Sequence, residues 1–317
     1  MDLNAELVDW LTSLNANKYR GEPRPHKAVL LLSVIELAET GRLAQNRVPF
    51  DPVLTEHFGD YWRAVAGDQV GKPEYPYWYM KSEPFWTLVP FPDQAEAVEA
   101  KGSKPVSQKW LREHVAYAEL DDALFQAMHD ADARDRMRGV LVAEYFPDKK
   151  EAVEQIRSFE QSVYQYTQII RRLAEPGVAY SVTPEHVRDT AFRRTVTEAY
   201  DYTCAVSRNR LTLAVGSSTY QLVQAAHIRD WSDSHDDNPQ NGISLSADYH
   251  WLFERGLFTL DTRWRVKVSP AARDCVGNVD TLLTRFRGQE ILLPDDQSLR
   301  PGQDYLDWHR EKKYLGG

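Results

Sequence analysis

The chain has 317 residues, 42% of them hydrophobic, and a formal net charge of −9. That length suggests roughly two domains, each able to bury a core, and no apolar run approaches the ~20 residues of a membrane helix. Two cysteines far apart exclude a disulfide scaffold and fit a reducing, cytoplasmic setting.

The opening MDLNAELVDWLTSL reads as an amphipathic helix with acidic residues, not as a secretory leader. Leu3, Leu7, Trp10, Leu11 and Leu14 form its apolar stripe, and HKAVLLLSVIEL (26–37) is a second helix, apolar enough to be buried. Between them NANKYRGEPRP is a basic loop carrying Arg20 and Arg24. Pro25 stands at a helix start, where its missing N–H costs nothing. His26 and Lys27 then sit in a first turn with free N–H groups and a partial positive charge, a small anion site suited to a backbone phosphate. The plainer alternative is a solvated Lys27 and a capping His26.

GRLAQNRVPFD reads as a turn into a short strand and LTEHFGDYWRAV as a helix. In GKPEYPYWYMKSEPFWTLVP, six aromatic residues from Tyr75 to Trp86 crowd among prolines. Prolines are expected to prevent a regular helix or a central strand here. The cluster is expected to divide between core and an open apolar pocket. Residues 91–150 read as mainly helical, through VSQKWLREHVAYAEL and DDALFQAMHDADARDRMRGVLVAEYF, with Ser107 and Asp121 or Asp122 as caps. His114 and His129 are expected to be structural or solvated. KKEAVEQIRSFEQSVYQYTQIIRRLAE is a long helix that runs to Pro176-Gly177 and precedes the polar linker GVAYSVTPE. The expected organisation is a domain over 1–150, a helical linker over 151–184 and a second domain over 185–317.

In the second domain EHVRDTAFRRTVTEAY is a helix whose Arg188, Arg193 and Arg194 either contact an anionic partner or are solvated. Cys204 is expected in the core. QLVQAAHI is a strand ending in His227, RDWSDSHDDNPQNG a loop containing Asn241, and ADYHWLFERGLF a helix that starts at Ala247 and stops at Gly256. His250 and Glu254, four apart, share one helix face and can hold a divalent cation. His227 enters from the strand as a general base. TLDTRWRVKVSP alternates like one strand with Arg263, Arg265 and Lys267 on a face. His235 and His309 are read as surface histidines.

The stretch 221–260 resembles the HNH endonuclease ββα-metal motif in its AAHI…NG…H variant, with His227 as the first His, Asn241 as the Asn and His250 as the last His. That resemblance implies that His227 activates water to attack a phosphodiester. It implies that Asn241 orients His227 and the loop, and that His250 and Glu254 hold the metal. The position before the first His, acidic or His in many relatives, is Ala226 here; Asp248 and Gln224 are the nearby alternative ligands.

YRGEPRPHKAVLLL together with PEYPYWYM…EPFWTL is similar to the sulfur-binding domain of restriction endonucleases that recognise phosphorothioated DNA. The resemblance implies an apolar pocket for sulfur at Tyr75 and Pro76, phosphate contacts from His26 and Lys27, and DNA contacts from Arg20 and Arg24. The aromatic loop could instead stack an extruded modified base.

The expected fold is α+β: a mainly helical N-terminal DNA reader with a small sheet and an aromatic loop, a helical linker, and a C-terminal ββα-metal HNH nuclease. The expected function is a modification-dependent restriction endonuclease using Mg²⁺ or Mn²⁺ on double-stranded, phosphorothioate-modified DNA. It is expected to work as a homodimer, because one base per site cuts one strand, and to have no membrane partner. The alternatives are an HNH nuclease directed by another modification or by none, and a DNA-binding protein without catalysis.

Overall fold

A computed structural model describes residues 5–15, 18–19, 22–23, 25–67, 69–173, 183–215, 218–277 and 279–316. Its contacts divide the chain into two compact units. The first is Met1–Gln161 with Ala214–Tyr220, and the second is Ser162–Leu213 with Gln221–Gly317. Among the described residues no helix is long and apolar enough to cross a membrane.

The first unit begins with α1 (Ala5–Thr12) and two short paired strands, β1 (Lys18–Tyr19) and β2 (Glu22–Pro23). It is built around α2 (His26–Glu39), in which every residue from Lys27 to Leu37 is buried. A helix apolar on all sides belongs in a core, and α2 is wrapped by α3 (Pro52–Ala66), α4 (Glu74–Tyr79), α7 (Asp122–Met128) and α8 (Ala131–Tyr145). Asp51 caps α3 by accepting from the Leu54 amide at 2.8 Å, with Pro52 at its first position.

The aromatic-proline stretch is helical where the prolines were expected to forbid it. Pro73 stands at the N-cap of α4 and Pro76 in its first turn. There the backbone N–H groups have no helical partner, so a missing one breaks nothing. Tyr77, Trp78, Phe85 and Trp86 are core, while Tyr75 and Tyr79 stay half-buried.

The segment 91–150, read as mainly helical, has a strand where VSQKWLREHVAYAEL was read as one helix. After α5 (Ala95–Lys101), the helix α6 (Gln108–His114) gives way to β4 (Val115–Leu120). β4 pairs antiparallel with β3 (Trp86–Pro90), matching Leu88 to Ala118 and Val89 to Tyr117. Long-range pairing and the half-buried pleat override a helical neighbour. Ser107 caps α6 through the Trp110 amide, and Asp121 caps α7 through the Ala123 amide. Asp130 caps α8 through the Ala133 amide, which splits one apparent helix in two. His114 stacks on Trp110 and bonds its carbonyl at 2.9 Å; His129 meets the Phe125 carbonyl at 2.9 Å. The helix α9 (Lys150–Arg171) then carries the chain across the boundary between the two units.

The second unit contains α10 (Glu185–Ala199), β7 (Val223–His227), α11 (Trp231–Ser234), β8 (Gly242–Ser246) and α12 (Ala247–Glu254); between α10 and β7 the paired strands β5 (Thr212–Val215) and β6 (Ser218–Gln221) carry the segment Ala214–Tyr220 that is counted with the first unit. It closes with β9 (Phe258–Leu260), β10 (Val266–Val268), α13 (Val279–Thr284) and α14 (Gln303–Lys312). The basic stretch after α12 is two strands rather than one. Asp261 accepts from the Arg263 and Arg265 amides, and Trp264 takes a left-handed φ of 53°, which turns β9 back onto β10. Arg263 therefore lies in the turn, while Arg265 and Lys267 are exposed along the second arm. Cys204 is buried as expected of a core residue.

His309 is not on the surface. It is fully buried on α14 and stacks on Phe253 at 3.8 Å. Its ring nitrogens meet Thr259 Oγ1 at 2.9 Å and the Phe253 carbonyl at 3.1 Å. Burial pushes its pKa down from 6.5 to about 4. The unfolded chain therefore binds a proton that the folded chain refuses between those values, and stability falls as pH drops from about 6.5 to about 4. The expected loss is about 3 kcal/mol at the acid end. Thermal unfolding between pH 7 and pH 4 checks this: the midpoint should fall, and fall less in His309→Gln.

Candidate active site

β7 and β8 pair antiparallel with His227 opposite Gly242 and Val223 opposite Ser246. α12 follows directly and packs on both strands. The three elements make a ββα unit whose strand end holds His227, whose loop end holds Asn241 and whose helix holds His250. Gly256, with φ 67°, stands just beyond the helix end, the left-handed position that favours glycine there.

Asn241 is fully buried and works as a clamp. Its side-chain oxygen accepts from the Arg229 amide at 2.8 Å, and its amide donates to the carbonyls of Arg229 and Asp236, each at 3.0 Å. The Ile228 amide donates to the Asn241 carbonyl at 2.9 Å. The segment just after His227 is thereby tied to the segment just before β8. The neighbouring Gly242 permits a close helix: a Cβ there would meet Val196 at 2.4 Å and Phe192 at 3.1 Å. Phe192 of α10 can then stack flat on the His227 ring, 3.9 Å between centroids.

The side chain that meets the His227 ring nitrogen is Asp237, where the resemblance gave the orienting role to Asn241. Asp237 Oδ1 lies 3.3 Å from His227 Nε2. Its carboxylate is buried and also takes the Tyr166 hydroxyl at 2.9 Å and the Arg188 guanidinium at 3.5 Å. Burial, with Asp237 beside it, pushes the Tyr166 hydroxyl well above its usual pKa, so Tyr166 remains a donor. Arg188 lies over the Trp231 ring at 4.0 Å and against Asp237, so it is engaged within the protein. A buried carboxylate with three donors is held in one orientation. An Nε2–H donated to it leaves Nδ1 of His227 with the lone pair.

On α12, His250 Nε2 lies 3.2 Å from Glu254 Oε1, and His250 Nδ1 lies 2.8 Å from Gln224 Oε1. A carbonyl oxygen can only accept, so Nδ1 carries the proton and Nε2 has its lone pair facing Glu254. Two ligands of a tetrahedral ion lie ~3.3 Å apart for bonds of ~2.0–2.1 Å. The spacing and the donor types both suit a divalent cation with positions left for water and phosphate. Ala226 is fully buried in the core. Gln224, on the same strand, is the neighbour that reaches His250, while Asp248 is turned to Ser246 and to the Tyr249 amide at the helix start.

In the first unit, α2 packs on α4, which brings the element that starts with His26 and Lys27 against the element that carries Tyr75 and Pro76. His26 packs on Trp62 at 4.4 Å. Lys27 does not project as a free cation: its ammonium is buried, ion-paired with Glu83 and 2.9 Å from Ser82 Oγ. A phosphate there has to compete with Glu83. Pro76 is buried and Tyr75 half-buried, with the Lys72 ammonium 5.2 Å over the Tyr75 ring. Arg20 and Arg24 lie outside the described residues.

The ScoMcrA-like DNA sulfur-binding domain family matches residues 4–156, and the HNH endonuclease family matches residues 204–261. The chain joins a DNA sulfur-binding domain to an HNH endonuclease domain. No curated protein matches it. One solved structure, a modification dependent TagI restriction endonuclease, is similar at 18% identity with a TM-score of 0.28. The likeness covers 45% of this chain and 42% of that one, too slight to carry a conclusion.

Within the second unit the residues missing from the sequence reading are Asp237, Tyr166 and Phe192. Asp237 stood among Asp233, Asp236 and two asparagines, with nothing to mark the one that turns inward. Tyr166 lies 61 positions before His227 in a helix read as a spacer. The first unit holds another unforeseen group: His57, Asp60 and Glu160 bring their ligand atoms within 4.8 Å of one another.

Proposed function

We propose that the protein is a modification-dependent restriction endonuclease. It binds phosphorothioated DNA through residues 1–150, and it hydrolyses nearby phosphodiesters with a metal-dependent HNH site in residues 185–317, the long helix between acting as linker. The observation that carries this is the ββα unit, in which a base, a loop clamp and a nitrogen–carboxylate metal pair occur together, behind a domain of the sulfur-binding family.

The roles follow from the contacts. His227 takes a proton from the attacking water at Nδ1, and Asp237 holds the ring through Nε2 and stabilises the imidazolium that forms. Asn241 keeps the flanking loop closed so that both stay aligned. His250 and Glu254 would hold Mg²⁺ or Mn²⁺, with Gln224 fixing the His250 tautomer. When bound, that ion supplies charge to the scissile phosphate and the leaving oxygen. In the sulfur-binding domain, the apolar faces of Tyr75 and Pro76 favour sulfur, which is larger and more weakly hydrated than oxygen. His26, at the start of α2, and Lys72, over the Tyr75 ring, would contact the neighbouring backbone, while Lys27 must first leave its ion pair with Glu83. One cut per site makes a homodimer on double-stranded DNA the expected working form.

The reader is tested by binding on a His227→Ala background. Tyr75→Ala should cut the preference for sulfur over oxygen about fivefold, the worth of ~1 kcal/mol of apolar contact. An unchanged ratio of affinities would remove Tyr75 from the pocket. The buried Ala226 favours a second reading, a DNA-binding protein that does not cut; it predicts binding with no cleavage in either metal.

A further inference from the structure

A cluster of metal-type donors that the nuclease reaction does not use is buried in the first unit. His57 and Asp60 are three apart on α3 and so share a face, and Glu160 meets them from α9. We propose that His57, Asp60 and Glu160 form a second cation site, which binds a divalent transition-metal ion, Zn²⁺ or Mn²⁺, and staples α3 to α9.

Three observations carry this. The ligand atoms of all three residues lie within 4.8 Å of one another, close enough to face one ion. His57 Nδ1 and Glu160 Oε2 are 3.5 Å apart, with side chains 3% and 1% exposed. That separation is beyond the roughly 2.7–3.2 Å of a good hydrogen bond and near the ~3.3 Å between two ligands of a tetrahedral ion. The third observation is Glu36. It is fully buried on α2, with Oε2 accepting from Tyr61 at 2.7 Å and Oε1 buried without any hydrogen-bond partner.

Burial, with the charge of Glu160 adding to it, pushes the Glu36 carboxyl up to about 7. The charges of Glu36 and Glu160 oppose each other in the interior, a cost that a cation bound beside Glu160 would relieve. A dication held by His57, Asp60 and Glu160 supplies that charge. The donor set selects the metal. Imidazole nitrogen favours Zn²⁺ and its transition-metal neighbours over Mg²⁺, and the carboxylates accept Mn²⁺ equally. Asp60 also pairs with Arg63 one turn on, but Arg63 is 53% exposed and can turn to solvent. The competing arrangement is metal-free, with a protonated His57 against Glu160.

The test uses the full chain carrying His250→Ala and Glu254→Ala, so that the HNH pair holds no ion. The protein is stripped with chelator, dialysed against Zn²⁺, Mn²⁺ or Mg²⁺, and assayed for retained metal and thermal midpoint. The expected result is one Zn²⁺ or Mn²⁺ per chain with a raised midpoint, no such rise in Mg²⁺, and loss of both ion and rise in Glu160→Gln. Glu160→Gln keeps the shape of the buried side chain; Asp60→Asn, at a half-buried position, serves as the second variant. No retained ion, equal retention by both variants, or a rise in Mg²⁺ equal to that in Zn²⁺ overturns the proposal.

Discussion

Replacing His227 with alanine is expected to lower DNA cleavage about 10³-fold, within the range that a positioned general base contributes, while DNA affinity changes by less than about threefold. His227 is half-buried and its ring stacks on Phe192, so the change leaves a shallow void beside α10 rather than a hole in the core. The Asn241 clamp does not involve the imidazole and stays intact. Single-turnover cleavage and gel-shift affinity, measured on the same duplex, separate the two effects. Cleavage by His227→Ala at the wild-type rate would remove His227 as the base.

The second large effect is expected at Asp237. Asp237→Asn should lower kcat about 10²-fold and leave KM nearly unchanged. Asparagine keeps the shape but loses the charge, and its amide competes to donate to the ring nitrogen instead of accepting from it. Residues that act as one unit are not additive. In the His227→Ala background, Asp237→Asn should therefore cost little more. A purely structural Asp237, acting through Tyr166 and Arg188, would instead lower activity equally in both backgrounds.

The ββα unit was legible because its signals are local. A β-branched run, a polar loop with Asn-Pro and Asn-Gly, and a helical apolar pattern ending at glycine follow one another within forty residues, and the structure has strand, loop, strand and helix in that order. The His250–Glu254 spacing and the buried α2 were legible for the same reason. What was not legible depends on contacts made at long range. β4 is a strand because β3 pairs with it, and its sequence follows a capped helix without a break. Asp237 is singled out from its acidic neighbours by Tyr166 and Arg188, which come from other helices. His309 sits in a polar, charged helix and is buried against Phe253 and Thr259, which come from other elements. The prolines of α4 misled in a different way, because their cost depends on position in the helix: in the first turn it vanishes.

The expected dependence on a phosphorothioate is the central claim, and it can be measured with two duplexes of one sequence. One carries the phosphorothioate and the other an ordinary phosphate, and each is incubated with the full chain in Mg²⁺ and in Mn²⁺ across several sequence contexts. The account predicts cleavage of the sulfur-bearing duplex and none of its partner. Equal cleavage of both would leave a nuclease without the proposed reader, and cleavage of neither, with binding retained, would contradict catalysis at the HNH site.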